Sequence, residues 1–383
     1  MPNFLLAPDA FKGSLTALEV CEIMEEVIKA EIPGAETKAL PIADGGEGSL
    51  DAFLMAAGGR RVRLEVCGPR FEPVEAAYAV LRDGSIVIEL AEAAGLPLMG
   101  DSPDVLNATT FGVGELMAHA LRQSSASAPR LYLCLGGSAA NDAACGAAAA
   151  LGFRFLDEAG RDFVPTGKTL INIAAIERSA VLPELEKAEI IVMSDVDNPL
   201  YGKDGAAAIF APQKGAAPAD IPLLDRGLRH FAALIRSAGG PAVADLKGAG
   251  AAGGFGAGAA ALFGGTLKPG IESILDLCGF DRHAARADFI LTGEGRLDGQ
   301  SVRGKAVAGI AARARRLPKP LIAVVGDIEK GIEPLYERGL LAAFSINRRA
   351  VPFSEAKKSS REDMKATLKD LMRLLRFLMA DKQ

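Results

Sequence analysis

The 383-residue chain contains no tryptophan, only three histidines and only five cysteines. The cysteines, Cys21, Cys67, Cys134, Cys145 and Cys278, are odd in number, scattered and without Cys-x-x-Cys spacing. That pattern argues against a disulfide framework and for reduced, buried thiols in a cytoplasmic protein. His119, His230 and His283 fall singly in helical surroundings, so neither a zinc site nor a Cys/His dyad is expected. No apolar run reaches membrane-spanning length, and the amino terminus lacks the basic region and apolar core of a signal peptide, so no membrane association is expected. Basic blocks and arrays of stacking aromatics are also missing, and the net charge of -5 is spread along the chain, which speaks against nucleic acid as a partner.

What is present is the composition of a soluble globular enzyme, 49% apolar and 24% charged. The length exceeds one ordinary core, so two domains are expected. The stretch 287–315 organises the rest. Phe289 to Leu291 form a short apolar run suited to a parallel sheet, and Val307, Ile310 and Ala311 recur at helical spacing. The loop between them carries Thr292, Gly293, Glu294, Gly295, Arg296, Asp298, Gln300 and Lys305. Gly299 to Lys305 fit Gly-x-x-x-x-Gly-Lys, but Ala306 stands where a P-loop needs a magnesium-binding hydroxyl, which excludes an ordinary Walker A. A glycine-rich anion cradle with Lys305 beside it is what survives.

The same strand, polar loop, helix unit recurs. Asn3 to Ala7 is a strand running into Asp9, Lys12 and Ser14, after which Thr16 and Glu19 form a capping box for a helix. Glu36 to Pro41 is a strand emptying into Asp44, Gly45, Gly46 and Glu47. From residue 61 the pattern becomes richer in β-strands, with a hairpin turn at Arg82-Asp83-Gly84. Strands at 131–135 and 190–193 run into loops bearing Ser138, Asn141 and Asp142, and Asp195, Asp197 and Asn198. Residues 200–222 read as a long functional loop or lid, and the glycine and alanine tract 248–265 as close helix packing. The architecture expected is α/β: a discontinuous flavodoxin-like parallel-sheet domain, 1–60 and 286–383, with a mixed α/β domain, 61–285, inserted in it and the active site in the cleft between.

Carboxylates gathered at the carboxyl edge of a parallel sheet need a cation, and an oxygen-rich set without His or Cys favours magnesium. With lysines and glycine-rich turns beside them, this is the equipment of phosphoryl transfer. Each element has a plainer reading: Asp9, Asp44 and the pair Thr109-Thr110 as helix caps, Asp195 to Pro199 as an Asx-type turn, and the glycine pairs as ordinary turns.

At these motifs the chain resembles the bacterial glycerate kinase family of type I. The resemblance rests on residues 7–15, 41–48, 136–142 (Gly-Gly-Ser-Ala-Ala-Asn-Asp), 194–200 (Ser-Asp-Val-Asp-Asn-Pro-Leu) and 292–305, in the family's order. It implies an ATP-dependent kinase of D-glycerate that requires magnesium, forms 2-phosphoglycerate or 3-phosphoglycerate, and joins a flavodoxin-like domain to a restriction-endonuclease-like one. Ala140 and Ala143-Ala144 stand where many relatives are expected to carry Thr and Gly. Glycerate and ATP are then the small-molecule partners, and a homodimer stays open.

Chemistry suggests the roles. Asp195 is the expected general base or hydroxyl orienter, and Asp44, Glu47 and Asp197 the magnesium contacts. Lys12 and Lys305 meet phosphates, and Arg296 meets the glycerate carboxylate through its planar fork. Asp9, Ser14, Gly45, Gly46, Ser138, Asn141, Asn198, Thr292, Gly293, Glu294, Gly295 and Gln300 complete the substrate and nucleotide contacts. The competing readings are a kinase of another small hydroxy acid or polyol, and a non-catalytic protein that binds a sugar acid.

Overall fold

The computed structural model describes residues 1–11, 13–42, 49–299, 301 and 306–380. Its contacts divide the chain into two compact units, Met1–Asp44 with Asp51–Ala57 and Ile271–Gln383, and Gly45–Leu50 with Gly58–Gly270.

The first unit is built on a five-stranded sheet in which every pairing is parallel. Across the sheet the strands run Leu340–Ser345, Leu321–Val325, Phe289–Gly293, Asn3–Pro8 and Glu36–Ala39, which in chain order within the sheet is 5-4-3-1-2. Asn3–Pro8 and Phe289–Gly293 are apolar almost throughout because both faces are covered, and Phe4 stacks on Phe289 at 5.3 Å. The helix Ala17–Glu31 starts as its sequence dictates: Thr16 accepts from the Glu19 N–H and the Glu19 side chain accepts from the Thr16 N–H. It buries Val20, Met24 and Val27 in a core shared with Met364, Leu368 and Leu371 of the helix Ser360–Ala380.

The second unit carries a six-stranded mixed sheet in the order Thr266–Lys268, Glu189–Met193, Arg130–Cys134, Ile86–Glu89, Pro73–Leu81, Gly59–Cys67. The first four are mutually parallel; the last two form an antiparallel hairpin that returns to the same edge, so Cys67, Glu89, Cys134 and Met193 all end on one side. The expected turn at residues 82–84 joins Pro73–Leu81 to Ile86–Glu89.

One expectation needs correction. Residues 200–222 are not an irregular lid: they contain the helix Ala206–Phe210 and a turn of tight helix Pro212–Lys214, and Leu200, Ala206, Ala207, Ala211 and Lys214 are buried. Helices of five and three residues are too short to show a period, which is why the sequence reads as loop. The carboxyl end of the chain forms two helices, Phe353–Ala356 and Ser360–Ala380. The glycine tract does pack closely: a Cβ on Gly258 would run into the carbonyl oxygen of Ala143, and one on Gly253 into that of Ala140.

Four residues other than glycine have left-handed backbone, Phe71, Ala143, Ala144 and Ala252, with φ of 63°, 51°, 60° and 51° among the described residues. Such positions cost roughly 1–3 kcal/mol each and persist where their surroundings over-determine them.

Candidate active site

In the first unit, neighbouring parallel strands place the loops after Pro8 and Gly293 side by side. The Asp9 N–H donates to Gly293 O at 2.8 Å, and the Thr292 hydroxyl donates to Ala7 O at 2.9 Å. In this strand order the two central strands have their crossovers on opposite sides, which opens a crevice at their carboxyl ends. Asp9 and Glu294 are both buried there. Asp9 is not a helix cap: its Oδ1 accepts from the next residue, Ala10 N–H, and the helix begins only at Ala17. Ser14 donates to Phe11 O at 3.1 Å and closes the turn. Gly293 is required by packing, since a Cβ would strike Val324 O, while Gly295 O accepts from Asp327 N–H at 3.1 Å. Arg296 is exposed and 3.1 Å from Glu329. An exposed pair of this kind contributes about 0–1 kcal/mol, so the guanidinium can exchange Glu329 for a ligand carboxylate.

In the second unit, the parallel register sets Cys134 beside Met193, so the loops bearing Ser138 and Asn141, and Asp195, Asp197 and Asn198, leave the sheet as neighbours. The first loop is buried. The Ser138 hydroxyl accepts from Ala140 N–H at 3.2 Å. Asn141 is 1% exposed, and among the described residues its amide nitrogen has no hydrogen-bond partner. Asp142, fully buried, accepts from Thr110 N–H and hydroxyl, both at 2.8 Å, and from Ala144 and Gly146 N–H at 3.2 Å. Burial pushes its carboxyl up, against the pull of those hydrogen bonds. Thr109-Thr110 therefore does more than cap the helix Phe111–Gln123: the Thr110 hydroxyl makes no capping bond and instead ties two loops together, also accepting from Ala147 N–H at 3.0 Å.

The second loop is open. Asp195 and Asp197 are exposed; Asp195 Oδ1 accepts from Gly270 N–H at 2.8 Å, and Asn198 donates to Asp204 O at 2.8 Å. Carboxylate and amide oxygens without thiol or imidazole fit a hard cation such as magnesium.

Sequence reasoning missed Lys214. The residue is 3% exposed, and its ammonium donates to Ala140 O at 2.7 Å, beneath the loop that carries Ser138 and Asn141. Burial draws its pKa down to about 7, partly offset by the charge of Asp142. The available signal was a lysine between Pro212 and Gly215 in a run of small apolar residues, masked by the reading of that run as a lid. Lys12, Asp44, Gly45, Gly46, Glu47, Gln300 and Lys305 lie outside the described residues.

The comparisons with known proteins bear on the whole chain. Residues 4–376 match the model of the glycerate kinase family. The chain is 41% identical over 371 residues to the glycerate kinase of Bacillus subtilis, covering 96% of each. It is 38% identical over 346 residues to the glycerate 2-kinase of Escherichia coli, covering 90% of each. Among solved structures, a provisionally assigned glycerate kinase 2 from Salmonella typhimurium LT2 superposes with a TM-score of 0.87 at 38% identity over 99% of both chains.

Proposed function

The chain belongs to the glycerate kinase family and is a kinase, and from that premise we propose that it transfers the γ-phosphoryl group of ATP to D-glycerate to form 2-phosphoglycerate, with magnesium bound at the site. The name of the Escherichia coli relative, glycerate 2-kinase, supports the 2-position. The observation that carries the reading is Asp195: one carboxylate oxygen is anchored by the Gly270 N–H while the side chain stays exposed at the carboxyl end of a parallel strand. A carboxylate held in that way can take up the proton of an attacking hydroxyl without losing its aim.

Phosphoryl transfer asks the protein chiefly for positioning and charge neutralisation. Asp195 orients and deprotonates the glycerate hydroxyl. Arg296 receives the glycerate carboxylate by releasing Glu329, and Lys12 and Lys305 meet the phosphates. Asp197, with Asp44 and Glu47, would hold magnesium, which supplies neutralisation of the phosphate oxygens. Ser138 and Asn141 provide polar contacts from the buried loop, and among the described residues the Asn141 amide nitrogen is uncommitted. We also read the first unit as flavodoxin-like, a reading supported by its strand order; the restriction-endonuclease-like reading of the second rests on the family resemblance.

Phosphorus NMR of the protein with magnesium, ATP and D-glycerate tests the reaction and its regiochemistry together. The expected result is a new monoester signal assignable to 2-phosphoglycerate. A 3-phosphoglycerate signal would overturn the regiochemistry, and unchanged ATP and glycerate with folded protein would overturn the function.

A further inference from the structure

The carboxyl edge of the second unit's sheet also holds a cavity of about 740 Å³, within the span of roughly 300–1,000 Å³ usual for small-molecule sites. Its lining includes Arg70, Phe71, Met99, Pro103, Asn107 and Thr166. Arg70 and Phe71 sit in the turn of the hairpin whose strands end at Cys67 and begin again at Pro73. Arg70 donates to the carbonyl oxygens of Met99 and Ser102, so its guanidinium ties the turn to that part of the lining. Pro69 O, in the same turn, accepts from Thr109 N–H at 3.0 Å, beside the Thr110 and Asp142 network. Met99 and Ala108, also of the lining, pack against Ala139 and Ala140 of the loop that carries Ser138 and Asn141. The cavity therefore adjoins the candidate active-site loop.

Phe71 is the anomaly. Its φ of 63° is the backbone that a tight hairpin turn normally assigns to glycine. A bulky side chain could be repaid for that strain by burial, yet Phe71 is 50% exposed, on the cavity wall. The ring is thus held at a cost that packing within the chain does not return. Met99 and Pro103 of the same lining are apolar, and Asn107 and Thr166 add a few polar groups, which is the makeup of a site for a flat heteroaromatic ring. A three-carbon acid would leave most of such a volume to water and gain nothing from an aromatic wall.

We propose that this cavity seats the purine of ATP, with the base against the Phe71 ring. This inference rests on the reading of the chain as an ATP-using kinase and adds which unit holds the base.

Two variants accept the left-handed backbone, Phe71→Gly and Phe71→Asn, and remove the ring. Calorimetric titration with the non-hydrolysable analogue AMP-PNP measures nucleotide affinity without turnover. Both variants should bind it about tenfold more weakly, the scale of one lost base-aromatic stack, and raise KM for ATP while leaving KM for glycerate unchanged. Phe71→Gly should unfold at the same or a higher denaturant concentration than the wild type, which separates ring loss from damage to the fold. Unchanged AMP-PNP affinity in both folded variants would overturn the proposal, as would a loss that falls on glycerate instead. Failure of the wild type to phosphorylate glycerate while AMP-PNP binding remained sensitive to Phe71 would sink the acceptor assignment and leave the purine seat standing.

Discussion

Two loops leave adjacent parallel strands, Arg130–Cys134 and Glu189–Met193, and end in opposite states. The first turns inward: Ser138, Asn141 and Asp142 are buried, Lys214 supports it from below, and Ala143 and Ala144 are bent into left-handed backbone to continue it. The second stays open, with Asp195 and Asp197 exposed. Both display carboxylates at the same sheet edge, and their sequences look equally suited to chemistry. Burial separates them. Asp142 spends its oxygens on four N–H and O–H donors of the protein and acts as scaffold, whereas Asp195 stays exposed at the sheet edge, where the proposed function has it meet the substrate.

The largest expected effect breaks the scaffold. Asp142→Ala strands the donors of Thr110, Ala144 and Gly146 in the interior and should lower the unfolding free energy by roughly 3–5 kcal/mol, given about 1–3 kcal/mol for each unsatisfied buried group with partial relaxation. Urea unfolding measures it; a loss below about 1 kcal/mol would contradict the scaffold role.

The next sharpens it through pH. Lys214 has a folded pKa of about 7 against the ordinary lysine value of 10.5. Below pH 7 folded and unfolded chains both carry the proton, and the folded state bears the full penalty of a buried ammonium. Between pH 7 and 10.5 the folded chain has released the proton and the unfolded chain has kept it, so rising pH relieves the penalty. The stability of the wild type should therefore climb relative to Lys214→Met across that window, by at most about 1.4 kcal/mol per pH unit. Denaturant melts of both proteins across the window check the sign, and a difference independent of pH would refute it.

The smallest effect concerns the bend. Ala144 has φ 60°, a conformation that glycine adopts without strain. Ala144→Gly should stabilise the chain by up to about 1 kcal/mol, less whatever its buried methyl contributes. A shift of the urea midpoint to lower concentration would show that methyl packing outweighs the strain.

How much of this was legible depends on how far each interaction reaches along the chain. The capping box of Thr16 and Glu19 spans three residues and is visible in the sequence as it stands in the structure. The parallel strands before Asp9 and Glu294 were legible from short apolar runs, as was the tight packing of the glycine tract, because small residues have few other uses there. Thr110 was not, since its hydroxyl serves a carboxylate 32 residues away, and a local reading offers only a cap. Lys214 was hidden for the same reason: its carbonyl partner is 74 residues distant, and the small apolar residues around it read equally well as a loop. Phe71 was invisible because a backbone angle leaves no trace in composition.

The division between the two loops is tested most directly by Asp195→Asn, measured for kcat and for unfolding free energy on the same preparation. The account predicts a fall in kcat of about 10²–10⁴, the usual contribution of a positioned acid or base, with stability within about 0.5 kcal/mol of the wild type. Near-normal turnover, or a loss of activity matched by a loss of several kcal/mol in stability, would contradict it.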